Sequence, residues 1–388
     1  MPKKKQVKEQ QTRQEAKTRK TVDDLKATLS GKGVNIFTGA ELETCQHVRR
    51  PFGVPSLDLA IAGGAAGGAP TIIYGPENAG KTLLTFWNMA ECQVNYGANS
   101  RILVLTLGGP PDKPFARVQG VRIPFSAGEK ARYIELYAKL HGAPPSAEDI
   151  KEAGKAVGRV DFLLPNAEDT KSLERSLEAF VQLVATREYQ LAIVDDVGST
   201  APGDVADHSI VEEPKRAYYA RIMTLFMQKL LKSLGFSGND KLYNNTSVIM
   251  TCQVRQGTSE WEPFVMTFGK CIRHNAATII RVEKKTQKVD DKIGQFIEWK
   301  ITKGRNGHGD GASGAIPFRP HVRYDKVLDL AETAVVCEII ARNGTWFNYG
   351  DIKVQNYADL AKAIESKGLY LELMDKVFAS RGIVWSTE

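Results

Sequence analysis

The sequence predicts an α/β fold: a mainly parallel twisted sheet, a helix-strand arm before it and a small α/β domain after it. Three observations lead there. Short apolar runs alternate with longer segments of helical period between about residues 71 and 254, the rhythm of a parallel sheet with crossover helices. A glycine-rich loop of phosphate-binding type joins the first of these strands to the first of these helices. From about residue 321 the rhythm stops and short helical patterns take over.

The 388 residues allow two domains or one large domain with appendages. With 42% apolar and 25% charged residues, the chain has ample material for a core. No apolar run approaches the ~20 residues of a membrane span, and the charged N-terminus has no signal-peptide core behind it. No membrane partner is expected. Five cysteines, Cys45, Cys92, Cys252, Cys271 and Cys337, are scattered and never form a C-x-x-C pair. They predict reduced thiols in a cytoplasmic protein rather than disulfides or zinc.

The formal net charge is +7, and residues 1–20 hold eight Lys or Arg against two Glu. This basic tail reads either as a solvated disordered segment or as an arm that finds an anionic polymer through phosphate attraction. Residues 21–48 follow as the arm. "TVDDLKATLSGKG" has Thr21 as N-cap, Asp23 and Asp24 in the first turn and Gly31 at the close of a short helix, and "VNIF" reads as a lone strand. A lone strand needs a partner sheet. Adding it to a second copy would make a head-to-tail contact that grows into a helical filament.

The main domain is expected over 49–320. Its elements are the strand "TIIYG", a helix over 81–96, the strand "RILVLTL", a helix over 171–188, the strand "LAIVDDV", a helix over 216–234 and the strand "SVIMTCQV". "AATIIRVEKKT" and "GQFIEWKITKGR" read as paired strands. Residues 125–160 are polar, helix-prone and out of rhythm, like an insertion. Residues 321–388 form the small C-terminal domain, with "DKVLDLAETAVVCEIIARNG" and "YADLAKAIESKG" as helices.

"YGPENAGKTLLTF" contains G-x-x-x-x-G-K-T: Gly75, Pro76, Glu77, Asn78, Ala79, Gly80, Lys81 and Thr82. Backbone N–H groups of such a loop and the following helix N-terminus cradle phosphate oxygens. Lys81 is placed to reach the β and γ phosphates of ATP, and the Thr82 hydroxyl to bind Mg²⁺. Asp195, at the end of the apolar run Leu191–Val194, supplies the second metal-site oxygen.

With these residues in place the sequence resembles the RecA-family DNA recombinases, of the bacterial and phage branch. "GVPSLDLAIAGGAAGGAPTIIYGPENAGKT" is similar to the family's approach to its P-loop, and "LAIVDDV" to its second nucleotide motif. "SVIMTCQVR", "RIMTLFMQKLLKSL" and "NGTWFNYGDIKVQNYADLAKAI" add a sensor strand, a helix after a DNA loop and the small C-terminal module. The resemblance spans roughly residues 21–380 outside the insertion.

It implies a RecA-like P-loop NTPase core with an N-terminal oligomerisation arm. It also implies ATP and Mg²⁺ as cofactors, single- and double-stranded DNA and further copies of the chain as partners, and a bacterial or phage-infected cell as setting. A recombination mediator or single-strand-binding protein is a further implied partner. Asp112 and Phe115 fall where the family holds adenine. Gln253 falls on the γ-phosphate sensor, and Lys303 and Arg305 on two cations that reach a neighbouring subunit's ATP. One DNA loop is implied at about Gly203 to Arg216, with Arg221 beside it, and a second from Arg255 to Gly269, including Gln256. Trp261, Phe264, Met266 and Phe268 in this second loop are of the type that stacks on or wedges between bases. The same residues folded on themselves would make a loop core.

One position departs. Gly108 stands where the family has a glutamate that orients the attacking water, a role worth roughly 10²–10⁴-fold. Three readings follow. Asp196, next to the metal-site Asp195, takes over the role. Hydrolysis is slow, and the chain is an ATP-clamped filament. Or another acid serves, such as Glu77 or one from the insertion.

Overall fold

The structure, a computed structural model, describes residues 48–383 except 167, 170, 198–215, 238–241, 260–261, 267–268, 290–291, 306–308 and 319–324. The basic tail, all but the last residue of the arm, and the first DNA loop up to residue 215 lie outside the described residues, as do Trp261 and Phe268.

β1 (Arg49–Arg50) and β2 (Ala65–Ala66) pair antiparallel around the short helix α1 (Pro55–Ala60). The buried Asp58 carboxylate accepts from the backbone N–H groups of Phe52 and Val54, at 2.7 and 3.0 Å, and closes this entry segment. The alternating region then gives β3 (Pro70–Gly75), α2 (Lys81–Tyr96), β4 (Arg101–Thr106) and α3 (Lys113–Val118). α4 (Glu129–His141), α5 (Ala147–Ala153), β5 (Arg159–Leu163), α6 (Ser172–Ala185), β6 (Leu191–Val197) and α7 (Arg216–Ser233) follow. Phe236–Ser237 (β7) and Leu242–Tyr243 (β8) pair antiparallel. The chain continues through β9 (Ser247–Ser259), β10 (Glu262–Met266), α8 (Gly269–Asn275), β11 (Thr278–Val289), β12 (Lys292–Gly304) and β13 (Ser313–Phe318).

Among the described residues the main sheet runs β13-β12-β11-β3-β9-β6-β4-β5, with β10 on β9. From β11 to β5 every neighbouring pair is parallel, and β11-β12-β13 is antiparallel. Both faces are covered, so successive strand residues feed different cores. Ile73, Ile102, Val104 and Ile193 pack with Leu84 and Met89 of α2. Ile72, Leu103, Leu105 and Val194 pack with Phe180 of α6 and Met227 of α7. Full burial of each such side chain stabilises the fold by about 1.5–3 kcal/mol, which fixes these strands as the rigid frame of the molecule.

The structure departs from the sequence reading in three places. β5 is a sheet-edge strand parallel to β4, and it begins within the segment 125–160 assigned to the insertion. Its Arg-Val-Asp-Phe-Leu pattern is half polar, as suits an edge. The expected loop Arg255–Gly269 is mostly strand: β9 extends through it, and β10 folds back antiparallel, pairing Phe264 with Gln256 and Met266 with Val254. Pairing gives the backbone groups of this long segment partners that an open loop would lack.

The third departure is local: the C-terminal region is the expected small α/β domain, but the segment "DKVLDLAETAVVCEIIARNG", read as one helix, breaks and ends in a strand. α9 (Lys326–Val336) stops at Cys337, and β14 (Ala341–Asn343), β15 (Trp346–Tyr349) and β16 (Ile352–Val354) form an antiparallel sheet before α10 (Tyr357–Ser366) and α11 (Tyr370–Ala379). Gly344 and Gly350 take positive φ at its turns. These elements enclose a core that includes Leu330, Phe347, Leu360, Leu373 and Phe378.

The helices α4 and α5 are the insertion proper. Both of its ends meet at one buried side chain. Gln93 of α2 donates through Nε2 to the carbonyls of Arg122 (2.8 Å) and Val157 (2.9 Å), and its Oε1 accepts from the Arg122 N–H (2.8 Å). Among the described residues no helix is long and apolar enough to cross a membrane.

Candidate nucleotide site

β3, β9, β6 and β4 run parallel, so their C-terminal ends lie in one row. The register pairs Gly75 with Gln253 and Thr106 with Asp195. Ligands of open α/β sheets bind at such ends. A cleft of about 430 Å³ lies there. The loop and strand ends line it with Glu77, Asn78, Lys81, Thr82, Asp195, Asp196 and Gln253, and the rest of the lining includes Phe86, Met89, Asp112 and Phe115.

The loop between β3 and α2 needs its glycines. Gly80 sits at φ +93°, and a Cβ there would fall 2.5 Å from Ile297 Cδ1; a Cβ on Gly75 would fall 2.0 Å from the Val282 carbonyl oxygen. As N-cap of α2, Gly80 supplies no capping side chain, so the first-turn N–H groups are left for an anion.

The buried Lys81 ammonium donates to the carbonyls of Gly75 (2.9 Å) and Pro76 (2.7 Å). Burial lowers its pKa, and the charges of Asp196 and Asp195 oppose that shift. Thr82 Oγ1 donates to Asp195 Oδ2 at 3.0 Å. This hydroxyl-carboxylate pair is the hard-oxygen set that Mg²⁺ takes, and it stands one residue from the phosphate-loop lysine. The donor chemistry therefore fits that ion.

Sequence reasoning missed two residues of the row. Thr251 Oγ1 donates to Asp195 Oδ1 at 2.5 Å and so orients the Asp195 carboxylate. It stands two residues before Gln253 on β9, and the period of two in a strand puts both on one face. That signal was available. Thr106 ends β4 opposite Asp195, and its buried hydroxyl has no hydrogen-bond partner among the described residues.

Beyond the strand row, Asp112 caps α3 by accepting from the Phe115 N–H at 3.1 Å. The Phe115 ring meets Phe86 of α2 edge-on, with centroids 6.0 Å apart. Gly108 lines the cleft and brings no acid. The lining carboxylates are Glu77, Asp112, Asp195 and Asp196, and no acid from 125–160 is among them.

Other expected site residues lie elsewhere. Lys303, at the end of β12, donates to the carbonyls of Arg273 and His274 at 2.7 and 2.9 Å, and Arg305 to that of Asn275 at 3.5 Å. Both cations thus sit on the last turn of α8, apart from this chain's own cleft. Arg221 is exposed on α7. Met266, expected to contact DNA, is half-buried and packs against the core shared by α6 and α7. Its place on the paired strand β10 turns it inward. Arg216, Arg255, Gln256 and Phe264 lie on described backbone, in α7, β9 and β10.

No protein-family model matches the chain. Whole-length relatives do. The RecA protein of Cereibacter sphaeroides is 26% identical over 378 residues, which cover 92% of this chain and 91% of that protein. The RecA protein of Geobacter metallireducens is 26% identical over 375 residues, 91% of each chain. That of Thermus thermophilus is 26% identical over 356 residues, 88% of this chain and 87% of its own. The likeness runs almost end to end rather than through the phosphate loop alone.

Proposed function

We propose, from the premise that this chain belongs to the RecA family, that it is an ATP-dependent recombinase. It polymerises on single-stranded DNA as a helical filament and pairs that strand with duplex DNA. One observation carries the reading: the phosphate loop, the Thr82–Asp195 pair and Gln253 stand in one row at the ends of parallel strands.

In this reading the loop N–H groups and Lys81 hold the triphosphate. Mg²⁺, held by Thr82 and Asp195, neutralises phosphate charge. Thr251 keeps the Asp195 carboxylate oriented. Asp196 lines the cleft and raises the pKa of Lys81 through its charge, and it is the acid proposed to orient the attacking water. Gln253 leads directly into the β9–β10 hairpin, the segment proposed to meet DNA, so nucleotide state and DNA contact share one strand. Lys303 and Arg305 are proposed to reach the next subunit's nucleotide, and the N-terminal arm to link subunits. A cytoplasmic setting and a recombination mediator or single-strand-binding partner complete the reading.

Gly108 favours a second reading, a nucleotide-clamped DNA filament that scarcely turns over. Steady-state ATP turnover with and without single-stranded DNA separates the two. The recombinase reading expects DNA-stimulated turnover, and Asp196→Ala lowers it by roughly 10²–10⁴-fold while ATP still binds. Filaments without turnover in the unaltered protein support the clamp. Failure to bind DNA in any nucleotide state overturns both.

A further inference from the structure

The insertion packs on the helix that carries the proposed base contacts, and does so through charge as well as apolar surface. Glu129, at the first position of α4, accepts from Lys113 Nζ at 2.7 Å through Oε1 and from Arg117 Nη2 at 2.7 Å through Oε2. Lys113 and Arg117 are on α3, one turn apart. Arg117 is fully buried. Its Nε donates to the Ile123 carbonyl at 2.8 Å and its Nη2 to that of Pro124 at 2.5 Å, and its guanidinium lies 4.4 Å from the ring centroid of Phe125. Beside this cluster, Val118 of α3 shares a small core with Tyr133 of α4 and Ala153 of α5. A third link is direct: Arg132 of α4 reaches Asp112 Oδ2 at 3.4 Å.

α3 is only six residues long. Helices of that length are not stable by themselves and take their position from tertiary contacts. Asp112 and Phe115 enter the cleft from this helix, and Glu129 grips the same helix from the insertion. Neither Glu129 nor any other insertion residue touches the cleft.

We propose that the insertion is a brace for the nucleobase. Glu129 is a positioning residue that holds α3 through Lys113 and Arg117, and so sets where Asp112 and Phe115 meet the base. The proposal rests on the reading of the cleft as an ATP site. It separates two parts of binding, since the phosphate loop rides on β3 and α2 and does not depend on the brace. Burial pushes the Glu129 carboxyl up, but hydrogen bonds from Lys113, Ser126 and Arg117 outweigh it and hold the group at about 2. The charge that grips α3 is therefore fully present at neutral pH.

Calorimetric titration of the full chain with Mg-ATP and, separately, with inorganic tripolyphosphate tests this. Glu129→Gln is expected to weaken ATP about tenfold and to leave tripolyphosphate affinity unchanged. Lys113→Met, which keeps the buried Arg117–Glu129 pair, is expected to show the same pattern more weakly. Intact tripolyphosphate binding also shows that the variants are folded. Equal loss of both ligands, or loss of neither, overturns the brace. If the unaltered chain binds neither ligand, the ATP-site reading itself falls and the brace with it.

Discussion

At the phosphate side of the cleft every functional group rides on an element buried in the main cores: Gly75 on β3, Lys81 and Thr82 on α2, Asp195 on β6, Thr251 and Gln253 on β9. At the proposed base side, Phe115 lies on a six-residue helix, capped by Asp112, that a charged insertion grips from behind. Hydrophobic burial spread over many residues sets the first geometry. The second depends on a few ion pairs and a small cluster around Tyr133. On the proposed reading, site precision comes in two grades within one pocket: the proposed phosphate chemistry sits on the rigid frame, and the proposed base contacts sit on a part that can be retuned.

The sharpest test removes the frame's own charge. Lys81→Ala is expected to lower DNA-stimulated ATP turnover by at least about 10²-fold, since it deletes a preorganised cation from the site of developing phosphate charge. It should weaken tripolyphosphate and ATP alike, where Glu129→Gln spares tripolyphosphate. Equal behaviour of the two variants would erase the distinction between the sides.

A smaller effect is expected from Phe115→Ala. Loss of the ring and its edge-on contact with Phe86 should cost about 1–1.5 kcal/mol of ATP affinity, with tripolyphosphate unchanged. The same calorimetric pair of ligands checks it.

The smallest effect is in pH. Glu129 is held at about 2, below its ordinary 4.5. A depressed carboxyl contributes stability that is fully present above pH 4.5 and is lost as pH falls towards 2. The unfolding free energy of the unaltered protein should therefore exceed that of Glu129→Gln at pH 6, and the gap, of order 1 kcal/mol, should close in acid. A gap that stays constant to pH 2.5 would show that the ion pairs contribute nothing.

The two sides also differed in how well the sequence displayed them. The phosphate loop is one contiguous motif, and the strands around it are apolar runs of the right length, so β3, α2 and β6 fell within a residue or two of their expected places. The brace is a set of pairs between Glu129 and residues 12 and 16 positions earlier, and no local period marks such a pairing. β5 was missed because an edge strand mixes Arg159 and Asp161 with its apolar residues. The β9–β10 hairpin was missed because polar side chains in a long segment resemble a loop, although backbone pairing decides the matter. At the C-terminus, the apolar run through Val335 and Ile340 continues a helical pattern past the point where α9 stops, so the end of that helix and the start of β14 were hidden within the expected α/β domain.

Gln93 has a consequence for how such a molecule can change over generations. Because one side-chain amide joins Arg122 and Val157, the whole insertion leaves and re-enters the fold through a single doorway. A gene could exchange the sequence between those points without touching a sheet strand or the phosphate loop. If the brace acts as proposed, the positioning of α3 and the phosphate loop are then separately heritable, and one can drift while the other is kept.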